Sequence, residues 1–103
     1  MAKSRFSIIL DYRNAMKQAG ILDEIAEDLK NCSEQLERCG NRVRGSWTGE
    51  NADKYINSTY VTSENIGEIR KNFINISETI KRIAERTYNT EMSALEISGK
   101  RTY

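Results

Sequence analysis

The chain has 103 residues, with 16 Lys and Arg against 15 Asp and Glu, 38% hydrophobic residues and no proline. This length suits one small domain, and the lack of proline favours long uninterrupted helices. The net charge of +1 argues against nucleic acid or an anionic membrane as the main partner, since both attract a concentrated positive field. Histidine, the commonest general base and metal ligand, is also lacking. We therefore expect no enzymatic activity, no cofactor and no metal.

The amino-terminal segment lacks the features of a targeting signal. No apolar run approaches the roughly 20 residues that span a bilayer. Lys3 and Arg5 precede the apolar stretch FSIIL, but Asp11 and Arg13 follow it too soon for a secretory signal. We expect neither membrane insertion nor export through the general secretory pathway.

A heptad-type pattern runs through the first half of the chain. From Leu22 to Val43 the apolar positions alternate at steps of three and four, and a similar pattern precedes them from Ile8. This spacing indicates an amphipathic helix, predicted here at about residues 4–44. The stripe consists of Leu22, Ile25, Leu29, Cys32, Leu36, Cys39 and Val43.

The second half of the chain has a more regular stripe of the same kind. Its members are Ala52, Tyr55, Thr59, Thr62, Ile66, Ile69, Phe73, Ile76, Ile80, Ile83 and Thr87. The period predicts a second helix at about residues 51–90, with Ser98, just before Gly99, as an alternative end, since a strand would alternate at every second residue. Gly45 and Gly49 bracket the intervening segment, so a turn is predicted at about residues 45–50.

The two stripes match along their length if the helices lie antiparallel, with Leu22 facing Phe73 and Leu29 facing Ile66. The centre of this register falls at Trp47, inside the predicted turn. The sequence therefore predicts an all-α fold, an antiparallel helix-turn-helix hairpin that forms a single domain over residues 1–103. Helix 1 has no residues left to face the end of helix 2, so residues 89–103 are expected to overhang as a tail.

Charged residues give a second check on this register. Asp23, Glu24, Glu27 and Asp28 form an acidic cluster that would repel itself along one helix. The antiparallel register puts Arg70 and Lys71 beside it.

A lone two-helix hairpin of this size is marginally stable, which favours pairing of two hairpins into a four-helix bundle dimer. Small residues recur at every seventh position of helix 1, and a second series of the same period lies on helix 2. Small side chains let helix backbones approach closely, so both series are assigned to the dimer interface; a solvated face is the alternative. They are Ala19, Ala26, Ser33 and Gly40, with Tyr60, Gly67 and Ile74.

Cys32 and Cys39 lie seven residues apart, about 10.5 Å along one helix face. They are too far apart to bond to each other within a straight helix, because a disulfide needs Cα atoms within about 7 Å. Two interpretations stay open: reduced cysteines packed in a helix seam, or a bridge to another chain in an oxidising setting.

The turn carries the chain's only tryptophan, Trp47, two residues before Gly49. A chain of this length with two helical segments and Trp47-Thr48-Gly49 at its midpoint resembles the WXG-motif family of small type VII secretion substrates. Ala52 and Tyr55 fit the small and aromatic positions that follow the motif in that family, and the apolar residues of helix 1 fit those that precede it.

The resemblance implies a non-enzymatic hairpin that pairs with itself or with a related helical hairpin protein. Such proteins are cytoplasmic before export. They are then secreted folded, without a cleaved signal peptide, through a membrane machine driven by an ATPase. Recognition in the family combines the Trp-x-Gly turn of one chain, here Trp47 and Gly49, with a carboxy-terminal Tyr-x-x-x-Asp/Glu of its partner.

The carboxy-terminal element departs from this pattern, because Tyr88 is followed by Glu91 at a spacing of three. Residues three apart still share a helix face, so Tyr88 and Glu91 are the candidate export element. An ordinary exposed helix end, with the signal supplied by a partner, is the alternative.

Two further functions stay open. Some family members act as adaptors or chaperones that pair with a larger type VII toxin and support its export. A structural coiled coil with no secretion role would explain the heptads equally well, but it would not explain a tryptophan at the midpoint.

Overall fold

The computed structural model describes residues 3–100 as two long α-helices joined by a short turn. Helix α1 spans Arg5–Ser46 and helix α2 spans Glu50–Lys100. No strand occurs among these described residues. The predicted all-α helical hairpin is therefore confirmed.

Both helices end later than their patterns predicted. Helix α1 begins at Arg5, close to the predicted start. Ser4 is its N-cap, because its hydroxyl accepts a hydrogen bond of 3.1 Å from the amide of Ser7. Helix α1 continues through Gly45 to Ser46. Helix α2 reaches Lys100, well beyond residue 90 and two residues beyond the alternative end at Ser98, because the stretch EMSALE is rich in helix-favouring residues. Residues 101–103 of the expected tail lie outside the described residues.

The described chain divides into two compact units. The single domain over residues 1–103 stays a prediction. Unit 1 comprises residues 3–22 and 75–100 of the described chain, and unit 2 comprises residues 23–74. Each unit contains one segment of α1 and one of α2, and the turn belongs to unit 2.

In unit 1 the helix segments meet through small and aromatic side chains. Ala19 and Ser77 have no exposed surface, and the Ser77 hydroxyl donates a hydrogen bond of 3.1 Å to the carbonyl oxygen of Ala19. The rings of Tyr12 and Tyr88 lie 5.1 Å apart, tilted by 49°. These contacts pair the start of α1 with the later part of α2, as an antiparallel arrangement requires.

In unit 2 the helix segments meet through hydroxyls and a glycine. The Oγ atoms of Ser33 and Ser63 lie 2.6 Å apart, so each polar side chain of this pair finds a partner within the interface. Gly40 lies directly against Thr59, whose hydroxyl donates a 2.6 Å hydrogen bond to the carbonyl of Ile56 in its own helix. The residues that face each other here, Gly40 of α1 and Thr59 of α2, are therefore both small.

The predicted register agrees with these contacts to within one residue. It pairs Ser33 with Thr62, whereas the structure pairs Ser33 with Ser63. Unit 1 shows the same offset, with Ala19 bonded to Ser77 instead of facing Ile76.

The faces that meet inside each unit are rotated from those the sequence predicted. The small residues Ala19, Ala26 and Gly40 are buried within the chain, although they were expected to face a second chain. Several aliphatic residues expected inside are about half exposed, among them Ile69 at 46% and Ile83 at 53%. Small side chains permit close contact between the helix backbones, and the larger ones then lie at the flanks.

Candidate functional site

The turn is built around Gly49. Helix α1 makes its last backbone hydrogen bond from the amide of Trp47 to the carbonyl of Val43, at 2.8 Å, and the amide of Asp53 bonds the carbonyl of Gly49 at 3.0 Å. Gly49 has a φ of +116°, and no other described residue has a positive φ. This backbone angle strongly favours glycine, so the glycine of Trp47-Thr48-Gly49 has a conformational reason here.

Trp47 lies in this turn with 49% of its surface exposed. It lines an open cleft of about 450 Å³ in unit 2 that mixes charged, polar and apolar side chains. An indole can present both an apolar face and an N–H donor, and this exposure leaves both accessible. The cleft is lined by Arg44, Trp47, Thr48, Gly49, Asp53, Ile56, Asn57 and Tyr60.

Replacing Gly49 by alanine is expected to destabilise the chain by about 1–2 kcal/mol, the cost of the left-handed backbone for a residue with a Cβ. A Cβ at Gly49 would meet nothing within 4 Å, so the loss comes from the backbone angle alone. Gly45→Ala is the matched control, since its Cβ also meets nothing within 4 Å but Gly45 lies in α1. It should stabilise by about 0.5–1 kcal/mol. Urea unfolding followed by circular dichroism measures both, and equal effects would contradict the backbone argument.

Tyr88 and Glu91 lie on the side of α2 that faces α1 in unit 1. Tyr88 packs on the ring of Tyr12, and Glu91 Oε1 accepts a hydrogen bond of 3.3 Å from Lys3. Lys3 also donates at 2.9 Å to Asp11, and these bonds, that to Asp11 first, raise the pKa of Lys3. The candidate export pair therefore shares a helix face as predicted, but α1 occupies part of that face.

Glu91 keeps one polar atom unused. Its Oε2 is buried and has no hydrogen-bond partner in the described structure. The side chain lines an apolar groove of about 250 Å³ in unit 1, together with Tyr12, Ala15 and Ile83. A carboxylate oxygen beside an apolar groove can receive a donor from another molecule.

The residues assigned to a dimer interface fall in two places. Ala19 and Ala26 are 0% and 3% exposed, Gly40 is buried and Ser33 is half-buried against α2. These four form the internal seam, and a second chain cannot contact the buried ones in this arrangement. The residues of α2 that were assigned to the same interface are half-buried. They are Tyr60, Gly67 and Ile74.

Tyr60 lies on a side of unit 2 where it contacts polar and charged residues of α1. Its hydroxyl donates a hydrogen bond of 2.5 Å to the side-chain oxygen of Asn41, and the Arg44 guanidinium lies 5.3 Å from the ring centroid. Tyr60, the first of the three α2 residues assigned to the dimer interface, therefore contacts α1 of its own chain.

The opposite side of unit 2 is apolar, and sequence reasoning placed its members inside the hairpin. The contact of Cys39 Sγ with the Tyr55 hydroxyl at 3.6 Å brings one flank of α1 beside one flank of α2. The hydrogen bond with Cys39, and next the electrostatic interaction with that side chain, raises the pKa of Tyr55. We define the apolar side of unit 2 as Ile25, Leu29, Cys32, Leu36 and Cys39 of α1 with Tyr55, Thr62 and Ile69 of α2.

The cysteines on this side are free thiols. Cys32 is exposed and Cys39 is half-buried. Cys32 is therefore not packed inside the seam, which was one of the two interpretations of the sequence.

Metal sites and membrane-spanning helices are two further features that bear on function. Within residues 3–100 no group of three or more His, Cys, Asp and Glu side chains is placed to hold a metal ion. In the same part of the chain, neither helix combines the length and the apolar character needed to cross a membrane. Comparison of the chain with protein-family models, with curated proteins and with solved structures gave no match.

Proposed function

We propose that the chain is a small non-enzymatic substrate of a bacterial type VII secretion system, exported folded as a pair. Its partners are a second copy of itself or a related helical hairpin protein, and the secretion ATPase that drives export. The route leads from the cytoplasm to the outside without a cleaved signal peptide.

The exposed Trp47 at the hairpin turn is the observation that carries this proposal. A tryptophan that served only to close the end of the hairpin would lose most of its surface to packing, as large aromatic side chains in a core do. Trp47 keeps about half of its surface and lies beside a cleft with charged and polar walls. Aromatic side chains in such positions are the usual anchors of protein–protein recognition.

Replacing Trp47 by alanine is expected to abolish secretion while the hairpin stays folded, because the indole contributes little to the seam. The assay compares culture supernatant and cell pellet in a strain that carries the secretion machine. Phe6→Ala is the matched control, since Phe6 is an aromatic residue exposed at 76% outside the turn, and it should be secreted like the parent. Secretion of Trp47→Ala at the parent level, or of the parent without the ATPase, would contradict the proposal.

Glu91 is the residue we assign to the carboxy-terminal part of the signal. Its buried, unpartnered Oε2 would gain a hydrogen bond from a donor of the export machine. The same secretion assay therefore includes Glu91→Ala, for which we expect retention in the cells.

The adaptor alternative is supported by the exposed apolar residues of both units. Apolar surface of this kind commonly marks a protein interaction site, and a larger toxin with a helical domain would cover it. The two functions separate when the chain is expressed alone: an adaptor stays monomeric until its toxin is co-expressed.

A further inference from the structure

The groove of unit 1 combines an apolar lining with carboxylates. Ile8 and Ala84, both buried, and Ile83, about half exposed, line its volume of about 250 Å³. Tyr12 and Tyr88 line it as well, with their ring centroids 5.1 Å apart. An apolar cavity of about 150 Å³ can hold benzene. The groove in unit 1 is larger, so it suits an aromatic ring that carries a short chain.

The charges beside the groove favour a cation. Two carboxylates, those of Asp11 and Glu91, occur among its described lining residues, and no Lys or Arg does. Lys3 donates to both, at 2.9 Å to Asp11 Oδ2 and at 3.3 Å to Glu91 Oε1. Since one ammonium balances only one of the two carboxylates, a negative charge is left beside the groove. A ligand of complementary charge is therefore positive.

The second oxygen of Glu91 needs a hydrogen-bond donor. Glu91 Oε2 is buried and has no partner in the described structure, whereas Oε1 accepts the bond from Lys3. Leaving a buried acceptor unpaired costs free energy, and an ionised carboxylate has only acceptors, so its partner must supply the hydrogen. A primary ammonium supplies both N–H donors and positive charge. A quaternary ammonium supplies the charge alone.

We propose that this groove binds a small primary amine with an apolar body, of the size of 2-phenylethylamine. The ammonium donates to Glu91 Oε2, near the carboxylate of Asp11, and the apolar body lies along Ile83. Tyr12 and Tyr88 add a further attraction, because the faces of aromatic rings attract cations. An uncharged ligand would leave the negative charge unbalanced, and an anion would be repelled by it.

Isothermal titration calorimetry of the purified full-length chain with 2-phenylethylamine tests the proposal, and we expect saturable binding at one site. Two analogues keep the apolar body. Trimethyl(2-phenylethyl)ammonium retains the charge without an N–H donor, and 2-phenylethanol retains a donor without the charge. Each should bind at least about tenfold more weakly, because the charge-assisted hydrogen bond is lost. No binding of the amine, or equal binding of either analogue, would overturn the proposal.

Glu91→Gln removes the charge with little change of shape. It should weaken binding of 2-phenylethylamine at least about tenfold and leave that of 2-phenylethanol unchanged. Glu78→Gln is the matched control, because Glu78 is exposed on α2 in unit 1 and does not line the groove. It should bind the amine like the parent. Parent-like binding by Glu91→Gln would overturn the assignment of the ammonium to Glu91.

Ala15→Leu tests the groove itself, since Ala15 lines it and a larger side chain would occupy part of its volume. We expect loss of amine binding. Ala94→Leu, the same change at an exposed position of α2 outside the groove lining, should bind like the parent. Circular dichroism establishes that each variant is helical. A helical Ala15→Leu chain that binds like the parent would overturn the location, and Glu91→Gln keeps the proposal testable if Ala15→Leu does not fold.

Amine binding goes beyond the proposed function and depends on no export step. It would use the same oxygen of Glu91 that we assign to the export signal, but calorimetry on purified protein and the secretion assay measure the two uses separately. A chain that binds no amine and is secreted through Trp47 would refute the ligand and leave the secretion proposal standing. A chain that binds the amine through Glu91 but is not secreted would do the reverse.

Discussion

Gly40→Ala is expected to destabilise the chain, although alanine is usually the better residue inside a helix. Helix propensity favours alanine by about 1 kcal/mol, but a Cβ at this position would lie 2.5 Å from Thr59 Oγ1. Thr59 is buried, and its β-branched side chain has few rotamers to move into. Overpacking of this kind costs about 1–3 kcal/mol, so we expect a net loss on the order of 1 kcal/mol. The midpoint of urea unfolding measures it.

Two controls isolate the contact with Thr59. Gly20→Ala is the same change in the same helix, and its Cβ meets nothing within 4 Å, so it should stabilise by about 1 kcal/mol. Thr59→Ala removes the atom that the new Cβ would strike. In the Thr59→Ala background, Gly40→Ala should stabilise the chain as Gly20→Ala does. A double-mutant cycle then gives the interaction free energy between positions 40 and 59. Additive effects of Gly40→Ala and Thr59→Ala would show that the two residues do not restrict each other.

Ala26→Leu is expected to cost about 2–3 kcal/mol, since it adds a large side chain to a well-packed seam. Ala26 is 3% exposed, and its neighbours in the small-residue series of unit 2, Ser33 and Gly40, are in direct contact with α2. The helix segments would have to separate, and the hydrogen bonds of Ser33 would weaken with them. Urea unfolding is the measurement, at one fixed protein concentration for both variants, because self-association of any chain makes its apparent stability depend on concentration.

Ala94→Leu is the control for this change, because Ala94 is an exposed position of α2 where such substitutions are near neutral. The outcome also separates two assignments of the small-residue series. If the series faced a second chain, as the sequence alone suggested, Ala26→Leu would change the mass of the protein and leave the unfolding of a single chain unaffected. An unchanged midpoint would thus contradict the structure.

Much of the fold could be predicted because it depends on periodicity and on the turn. Steps of three and four predict helices wherever they occur, and the glycines around Trp47 located the reversal of the chain. The antiparallel register followed to within one residue, since two heptad series that match at one point match along their length. The helix ends were predicted less accurately. Helix α1 continues through Gly45, and residues 91–100 continue α2, because nothing in either stretch forces a helix to stop.

The candidate site could be predicted only in part. The sequence singled out Trp47 and Gly49, and the structure adds the exposed indole and the positive φ. Tyr88 and Glu91 were identified by their spacing, but their contacts with Tyr12 and Lys3 join residues far apart in the chain. No local pattern reveals such a contact.

The sequence by itself determined that this protein has two long helices, where the chain turns, and which residues share each helix face. Only the tertiary structure decided which of two adjacent faces became the internal seam. A heptad pattern fixes the relative positions of side chains on one helix, but it leaves the rotation of that helix against its neighbour open. Close packing of Ala26 and Gly40 with hydrogen-bonded serines decided that rotation here, because short side chains let the backbones meet while larger residues such as Ile69 and Ile83 stay about half exposed.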